Sequence, residues 1–158
     1  YSEYVDDLTD YFNKNVGESF LKFRQRISNI LIEENKLMEI VKLIGADVLP
    51  DNQKLIIETA KVIRVGFLQQ NAYHKDDTYV PLEKQNLMME LILYLYDSCL
   101  KAMESKMPLS VIVSTGLFEK VIKVKYDIPN NDLGKFNVYK KEIDDKFKEL
   151  SIGSSEWR

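Results

Sequence analysis

Few side chains in this sequence could act as an acid, base or nucleophile near neutral pH. His74 is its single histidine and Cys99 its single cysteine. An imidazole titrates near neutrality and suits a general base. His74 also stands beside the acidic pair Asp76 and Asp77. A lone loop histidine is more often solvated than catalytic. Neighbouring aspartates more often start a turn and favour the next helix N-terminus than hold a cation. Cys99 shares a three- and four-residue spacing with Met88, Leu91, Ile92, Leu95 and Met103. That is the seam of an amphipathic helix, where a thiol packs as a small apolar group. One histidine and one cysteine exclude a His-rich metal site, a multi-cysteine zinc site and a disulfide framework, so no metal ligand is assigned. Neither a G-x-x-x-x-G-K-[ST] phosphate loop, nor a G-x-G-x-x-G turn, nor a G-x-S-x-G elbow occurs, and the six glycines do not cluster. Paired-carboxylate hydrolysis needs only two acids, and 25 acidic residues always offer pairs; none stands apart. The chain carries no complete catalytic site of its own.

The least periodic stretch is Leu68 to Val80, with Gln69, Gln70, Asn71, Ala72, Tyr73 and His74. A loop rich in amides and aromatics between two strong helices is where function is expected. The elements around it are helical. A short amphipathic helix is predicted over Glu3 to Asn13. A long one follows from Glu18 to Ile44, with Phe20, Phe23, Ile27, Ile30, Leu31, Met38, Val41 and Ile44 at helical steps and Gly45 at its C-terminal stop. Asp47 to Asp51 reads as a tight turn. Pro50 opens the next helix, where its missing N–H costs nothing. That helix runs to about Phe67 through Leu55, Ile56, Ala60 and Ile63. The two helices form a hairpin packed through Ile27, Ile30, Val41 and Ile44, with the turn at its tip. Pro81 opens a long helix to about Ser105. Pro108 opens a short one ending near Ser114. Phe118, Val121, Ile122 and Lys125 suggest another, Pro129 to Asp132 is a turn, and Phe136, Tyr139, Ile143, Phe147 and Leu150 mark the last helix. Lys120, Lys123 and Lys125 read as a solvated basic patch, and Tyr94 and Tyr96 as core-edge packing. The expected fold is all-α, a helical bundle built around a long helix hairpin. One domain fills residues 1–150, and residues 151–158, with Trp157, form a polar tail.

The sequence has 158 residues, 45% hydrophobic and 30% charged, which suits one globular domain. A net charge of −3 gives no electrostatic case for nucleic acid or for a polybasic membrane surface. No apolar run approaches the roughly 18 residues that span a bilayer, so no direct membrane insertion is expected. A lone cysteine suits a reducing setting. The chain begins at Tyr1 without a methionine, and it is expected to be part of a longer chain or a processed product.

Three blocks in fixed order carry a resemblance. They are Gly45-Ala46-Asp47-Val48-Leu49-Pro50-Asp51, then Val62-Ile63-Arg64-Val65-Gly66-Phe67-Leu68-Gln69-Gln70-Asn71-Ala72-Tyr73, then Asp77-Thr78-Tyr79-Val80-Pro81-Leu82-Glu83-Lys84-Gln85. Together they resemble the C-terminal region of the catalytic alpha chain of archaeal A-type and vacuolar V-type rotary ATPases. That family shows G-x-D-x-L-P, R-x-x-F-L-Q-Q-N-A-F and D-T-Y-C-x-x-x-K-Q. Tyr1, Ser2, Tyr4, Asn15 and Val16 also match, at the point where the family's nucleotide-binding domain ends. Tyr73 stands where the family has Phe. Val80 replaces a common Cys that matters for redox sensitivity in some vacuolar relatives, and Lys75 and Asp76 stand where Glu and Val are frequent.

The resemblance implies a catalytic subunit that alternates with B subunits in a ring of six around a rotating central stalk. ATP synthesis or hydrolysis there is coupled to proton or sodium transport. The subunit is cytoplasmic, and peripheral to the membrane through its complex. The phosphate loop and catalytic glutamate of the family belong to an upstream nucleotide-binding domain absent from this chain. ATP or ADP with Mg is therefore a cofactor of the parent subunit, and none is expected to bind this chain tightly. Two roles carry over. Gln70, Asn71, Ala72 and Tyr73 resemble one wall of the adenine pocket, where an aromatic ring stacked on a purine contributes about 1–3 kcal/mol. Asp47, Val48, Leu49, Pro50 and Asp51 resemble the hairpin tip that touches the central stalk, a lever moved by closure around nucleotide. A helical adaptor or scaffold unrelated to nucleotides would explain the composition and periodicity equally well, though not the three blocks. A small stand-alone enzyme using His74 and an acid is the weakest alternative.

Overall fold

The computed structural model describes residues 17–69 and 80–153. Among them every regular element is helical. Helix α1 spans Ser19–Ile44 and α2 spans Asp51–Val62, with a short 3₁₀ turn at Ala46–Val48 between them. A π-helical turn, Ile63–Leu68, continues α2. The remaining helices are α3 (Leu82–Glu104), α4 (Leu109–Ser114), α5 (Leu117–Ile122), α6 (Val124–Asp127) and α7 (Lys135–Ile152).

The helix starts follow from proline. Pro50, Pro81 and Pro108 each occupy the N-cap in extended conformation, one position before the first helical residue. A fixed φ and a missing N–H suit this site. Gly45, at φ 87°, ends α1, and its N–H still bonds to Val41 O at 2.9 Å. Gly116, at φ 81° and ψ 4°, makes the left-handed step that turns α4 into α5, a conformation that costs other residues.

Helix α3 is the centre of the bundle, with α1, α2, α4, α5 and α7 packed around it. Its seam is as the periodicity requires, with Met88, Leu91, Ile92, Leu95 and Cys99 all buried. Phe20, Ile27 and Ile30 of α1, Leu55, Ala60 and Ile63 of the second segment, and Phe136 and Ile143 of α7 close on it. Polar contacts fix the helices laterally. Arg26 of α1 forks onto Asp97 of α3 at 3.0 and 2.7 Å. Tyr94 donates to Asp144, and Lys140 pairs with Glu90, both between α3 and α7. Lys120 of α5 pairs with Glu142 of α7 and lies over the Tyr139 ring.

Four expectations change. The hairpin is unequal, because regular α-helix in its second arm stops at Val62 and the chain widens into the π turn. Its packing does not reach the tip: Val41 is half-buried, and Ile44 is 62% exposed. Helical spacing assigns these residues to the inner face, but the last turn of α1 has only a short turn opposite it. One predicted helix near Phe118 is two, broken at Lys123. Lys120, Lys123 and Lys125 are not one solvated patch, since Lys120 is ion-paired and Lys125 is buried.

Candidate functional site

Two regions emerge around the expected functional residues. The first is the hairpin tip. Every residue from 42 to 48 is exposed, and the run is rich in aliphatics. Leu43 is 84% exposed and Val48 59%, beside Ile44 and, one turn back, Ile40. Aliphatic side chains so concentrated at one protruding end mark a contact surface rather than ordinary scatter. The five tip residues expected to touch a partner divide into two groups. Asp47, Val48 and Pro50 face outward. Leu49 is only 6% exposed and, with Leu37, is buried outside the main core cluster. Asp51 is exposed as a residue, but its Oδ2 accepts a hydrogen bond from Leu109 N at 3.0 Å. A carboxylate on the first free N–H of α4 ties the base of the tip to the bundle. Leu49 and Asp51 therefore shape the tip, and Leu43, Ile44 and Val48 supply its surface.

The second region is the root of the amide-rich stretch. Gln70, Asn71, Ala72 and Tyr73 lie outside the described residues, as do His74, Asp76, Asp77, Trp157 and the helix expected over Glu3 to Asn13. The chain leading into the stretch and out of it is described in detail. On the entry side the π turn closes with Gln69 N donating to Arg64 O at 2.8 Å. Arg64 Nη1 pairs with Glu34 of α1, whose side chain is 5% exposed. Gly66 abuts Ile122 of α5 so closely that a Cβ would lie 3.0 Å from both Ile122 Cα and O. Lys125 Nζ donates to Gln69 O at 3.2 Å. On the exit side Gln85 Nε2 donates to Val80 O at 2.9 Å. Lys84, with no exposed surface, sends its ammonium to Lys125 O at 2.8 Å, Ile128 O at 2.7 Å and Asn130 Oδ1 at 2.8 Å. Short π-helical turns inside α-helices recur at functional sites because they re-aim the chain that follows.

The chemistry of both regions is positional. Among the described residues no group of three or more His, Cys, Asp or Glu could hold a metal. Cys99 is fully buried, and burial pushes its thiol up to about 12, so it is an inert packing group. Tyr94 is also pushed up to about 12, first by its hydrogen bond to Asp144 and then by burial. Tyr96 and Tyr139 are raised chiefly by burial, and Arg26 is raised by its bond to Asp97. These shifts belong to structural contacts at helix interfaces.

Sequence reasoning gave no role to Glu34, Lys84 or Gln85. A signal was present for the first two. Glu34 falls in the series 27, 30, 34, 37, and Lys84 in the series 84, 88, 91, 95, 99, both helical seams. A charge at a seam position requires a buried partner.

An all-α bundle with a protruding apolar hairpin and a clamped loop root defines a docking and positioning domain rather than a self-contained catalyst. Residues 9–112 match the family described as the C-terminal domain of V and A type ATP synthase. The chain is 47% identical over 150 residues to the V-type ATP synthase alpha chain 2 of Clostridium tetani, covering 95% of this chain and 25% of that protein. It is 43% identical over 150 residues to the V-type ATP synthase alpha chain of Halothermothrix orenii, again 95% and 25%. It is 37% identical over 151 residues to the corresponding chain of the A-type ATP synthase of Methanopyrus kandleri, with the same coverage. The chain therefore belongs to the C-terminal domain family of V and A type ATP synthases. It spans about a quarter of the length of these relatives. Among the described residues no helix is long and apolar enough to cross a membrane.

Proposed function

We propose that this chain serves as the C-terminal helical domain of the catalytic subunit of a rotary ATP synthase or ATPase, coupling nucleotide state to a central stalk through its hairpin tip. The observation that carries this reading is the run of exposed residues 42–48 with Leu43, Ile44 and Val48 outermost. Such a surface is costly to leave in water, at roughly 25 cal/mol per Å² of apolar area. A stalk that turns past it meets an apolar face that can slide without breaking fixed ion pairs. Helix α1, bound laterally to α3 by the Arg26–Asp97 fork, supplies a stiff arm behind the tip.

Gln70, Asn71, Ala72 and Tyr73 form one wall of the adenine pocket in this proposal, with the Tyr73 ring flat on the purine and the two amides as hydrogen-bonding groups. The phosphates and Mg of ATP or ADP require a glycine-rich loop and anionic ligands, and this sequence contains no such loop. They are held by the upstream part of the parent subunit, and the B subunits complete the ring. By itself the chain is hydrolytically inactive. Its setting is the cytoplasmic, membrane-peripheral part of the complex, whose coupling ion is a proton or sodium.

The test is Val48→Asp with Leu43→Ser in the full-length protein, built into the complete complex. Ions moved per ATP hydrolysed should fall several-fold while the KM for ATP stays within twofold. An unchanged coupling ratio would contradict the lever role of the tip.

A further inference from the structure

The hairpin and the root of the amide-rich stretch are joined by one partly buried ion pair. Glu34 sits on α1, about two and a half turns before the tip, at a seam position that would otherwise hold an aliphatic. Its carboxylate is 5% exposed, whereas the Arg64 side chain that meets it is 50% exposed. Arg64 lies in the π turn, and its own carbonyl accepts the closing hydrogen bond of that turn from Gln69 N at 2.8 Å. Gln69 is the last described residue before position 70.

The π turn has little freedom on its other sides. Gly66 has backbone of Ile122 at the distance where a Cβ would clash, so α5 forms a wall behind it. Lys125 Nζ holds Gln69 O at 3.2 Å. A turn supported by α5 and α6, and tied by charge to α1, transmits a displacement of α1 instead of absorbing it. A carboxylate this buried also keeps its arginine, because losing the partner leaves a desolvated charge.

We propose that Arg64 and Glu34 are paired positioning residues that lock the root of the Gln70–Tyr73 segment to the hairpin helix, so that nucleotide occupancy and tip position change together. This rests on the adenine-wall and lever roles proposed above. Neither residue touches nucleotide or stalk; each acts through the other. Because coupling between two sites is reciprocal, the pair should influence nucleotide affinity and mechanical coupling alike, which a merely stabilising contact would not do.

The experiment compares Glu34→Gln, Arg64→Lys and the double variant in the assembled complex, with Tyr73→Ala and Val48→Asp as reference variants. Glu34→Gln keeps shape and one hydrogen bond while removing the charge. Arg64→Lys keeps the charge and shortens the reach, which guards against a variant that fails to fold. Each single variant should raise the KM for ATP by about fivefold, the lower end of typical coupling between sites. Each should keep kcat within about twofold and lower the ions moved per ATP. The double variant should be no worse than either single one, as expected for residues acting through one contact. An unchanged KM and coupling ratio in properly assembled Arg64→Lys and Glu34→Gln complexes would overturn the proposal, as would full additivity in the double variant. Tyr73→Ala with an unchanged KM would sink the wall role itself, and Val48→Asp with unchanged coupling would sink the lever. If both reference variants respond while the Arg64 and Glu34 variants do not, the link alone is wrong.

Discussion

Replacing Lys84 by methionine tests the clamp at the root of the loop most sharply. The side chain is fully buried at the start of α3, and its ammonium reaches two main-chain carbonyls, of Lys125 and Ile128, and the side-chain oxygen of Asn130, all at 2.7–2.8 Å. Methionine fills the same channel with a stem of similar length and supplies no donor. An orphaned buried acceptor costs about 1–3 kcal/mol, so the two carbonyls alone imply about 2–6 kcal/mol. Asn130 is half-exposed and can turn toward water, adding little. Removing the ammonium also relieves its desolvation, which amounts to several kcal/mol for a buried ion. The balance falls in the lower half of the range, near ~3 kcal/mol. For a domain of this size 1 kcal/mol moves the melting temperature by about 2–4 °C, so the expected loss is roughly 6–12 °C. Thermal unfolding of the chain followed by circular dichroism at neutral pH reads this directly. Lys101→Met, at an exposed position on the same helix, is the control, and it should stay within about 2 °C of wild type because surface changes are usually within about 0.5 kcal/mol. A Lys84→Met chain that melts with wild type would refute the cradle.

Three further outcomes follow from the same contacts. Gly66→Ala should destabilise despite the helix propensity of alanine, worth about 1 kcal/mol. Its Cβ would lie 3.0 Å from the Ile122 backbone, and overpacking against backbone costs about 1–3 kcal/mol. Gly153→Ala, with nothing within 4 Å and right-handed φ, should be neutral or slightly stabilising in the same melt. Cys99 should resist iodoacetamide in the native chain at about pH 8 and react quickly in guanidinium, because burial holds its thiol proton to about 12; fast native labelling would contradict its place in the core. Stability should also fall in alkali. Tyr94 and Cys99 have folded values of about 12, against ordinary values of 10.0 and 9.0. The unfolded chain therefore releases these protons first, and their contribution is complete below about pH 9 and lost as pH climbs from there toward about 12. Asp144→Asn, which removes the charge that holds the Tyr94 proton, should flatten that decline, and an equal slope in both chains would refute the assignment.

Much of the architecture was legible because helix punctuation is local. Pro50, Pro81 and Pro108 placed three helix starts to within one residue, and the α3 seam from Met88 to Cys99 was correct residue by residue. What periodicity cannot supply is the length of the neighbour. It put Ile44 on the inner face of α1, which is true of its direction, but only a short turn lies opposite the last turn and the side chain stays in water. That same exposure is what makes the tip a surface. The π turn was illegible for another reason: Ile63 to Leu68 has helical spacing, and the wider turn arises from tertiary contacts of Arg64, Gly66 and Gln69 rather than from local propensity. The charged seam residues Glu34 and Lys84 announced that partners must exist. Only the fold identifies them as Arg64 and as the carbonyls beside α6. The family blocks also change meaning. Arg64, Lys84 and Gln85 sit within them because they hold the two ends of the segment that carries Gln70 to Tyr73.

The most direct test of the lever is a cross-link from the hairpin tip. Cys99 is buried, so Val48→Cys provides the accessible thiol in the described part of the chain. In the assembled complex a short thiol-to-amine cross-linker at position 48 should join the chain to a protein of the central stalk. The yield should change with nucleotide occupancy, and covalent attachment should stop ATP turnover. Cross-linking only to neighbours in the ring, or a tethered complex that turns over ATP at the wild-type rate, would contradict the hairpin as the lever.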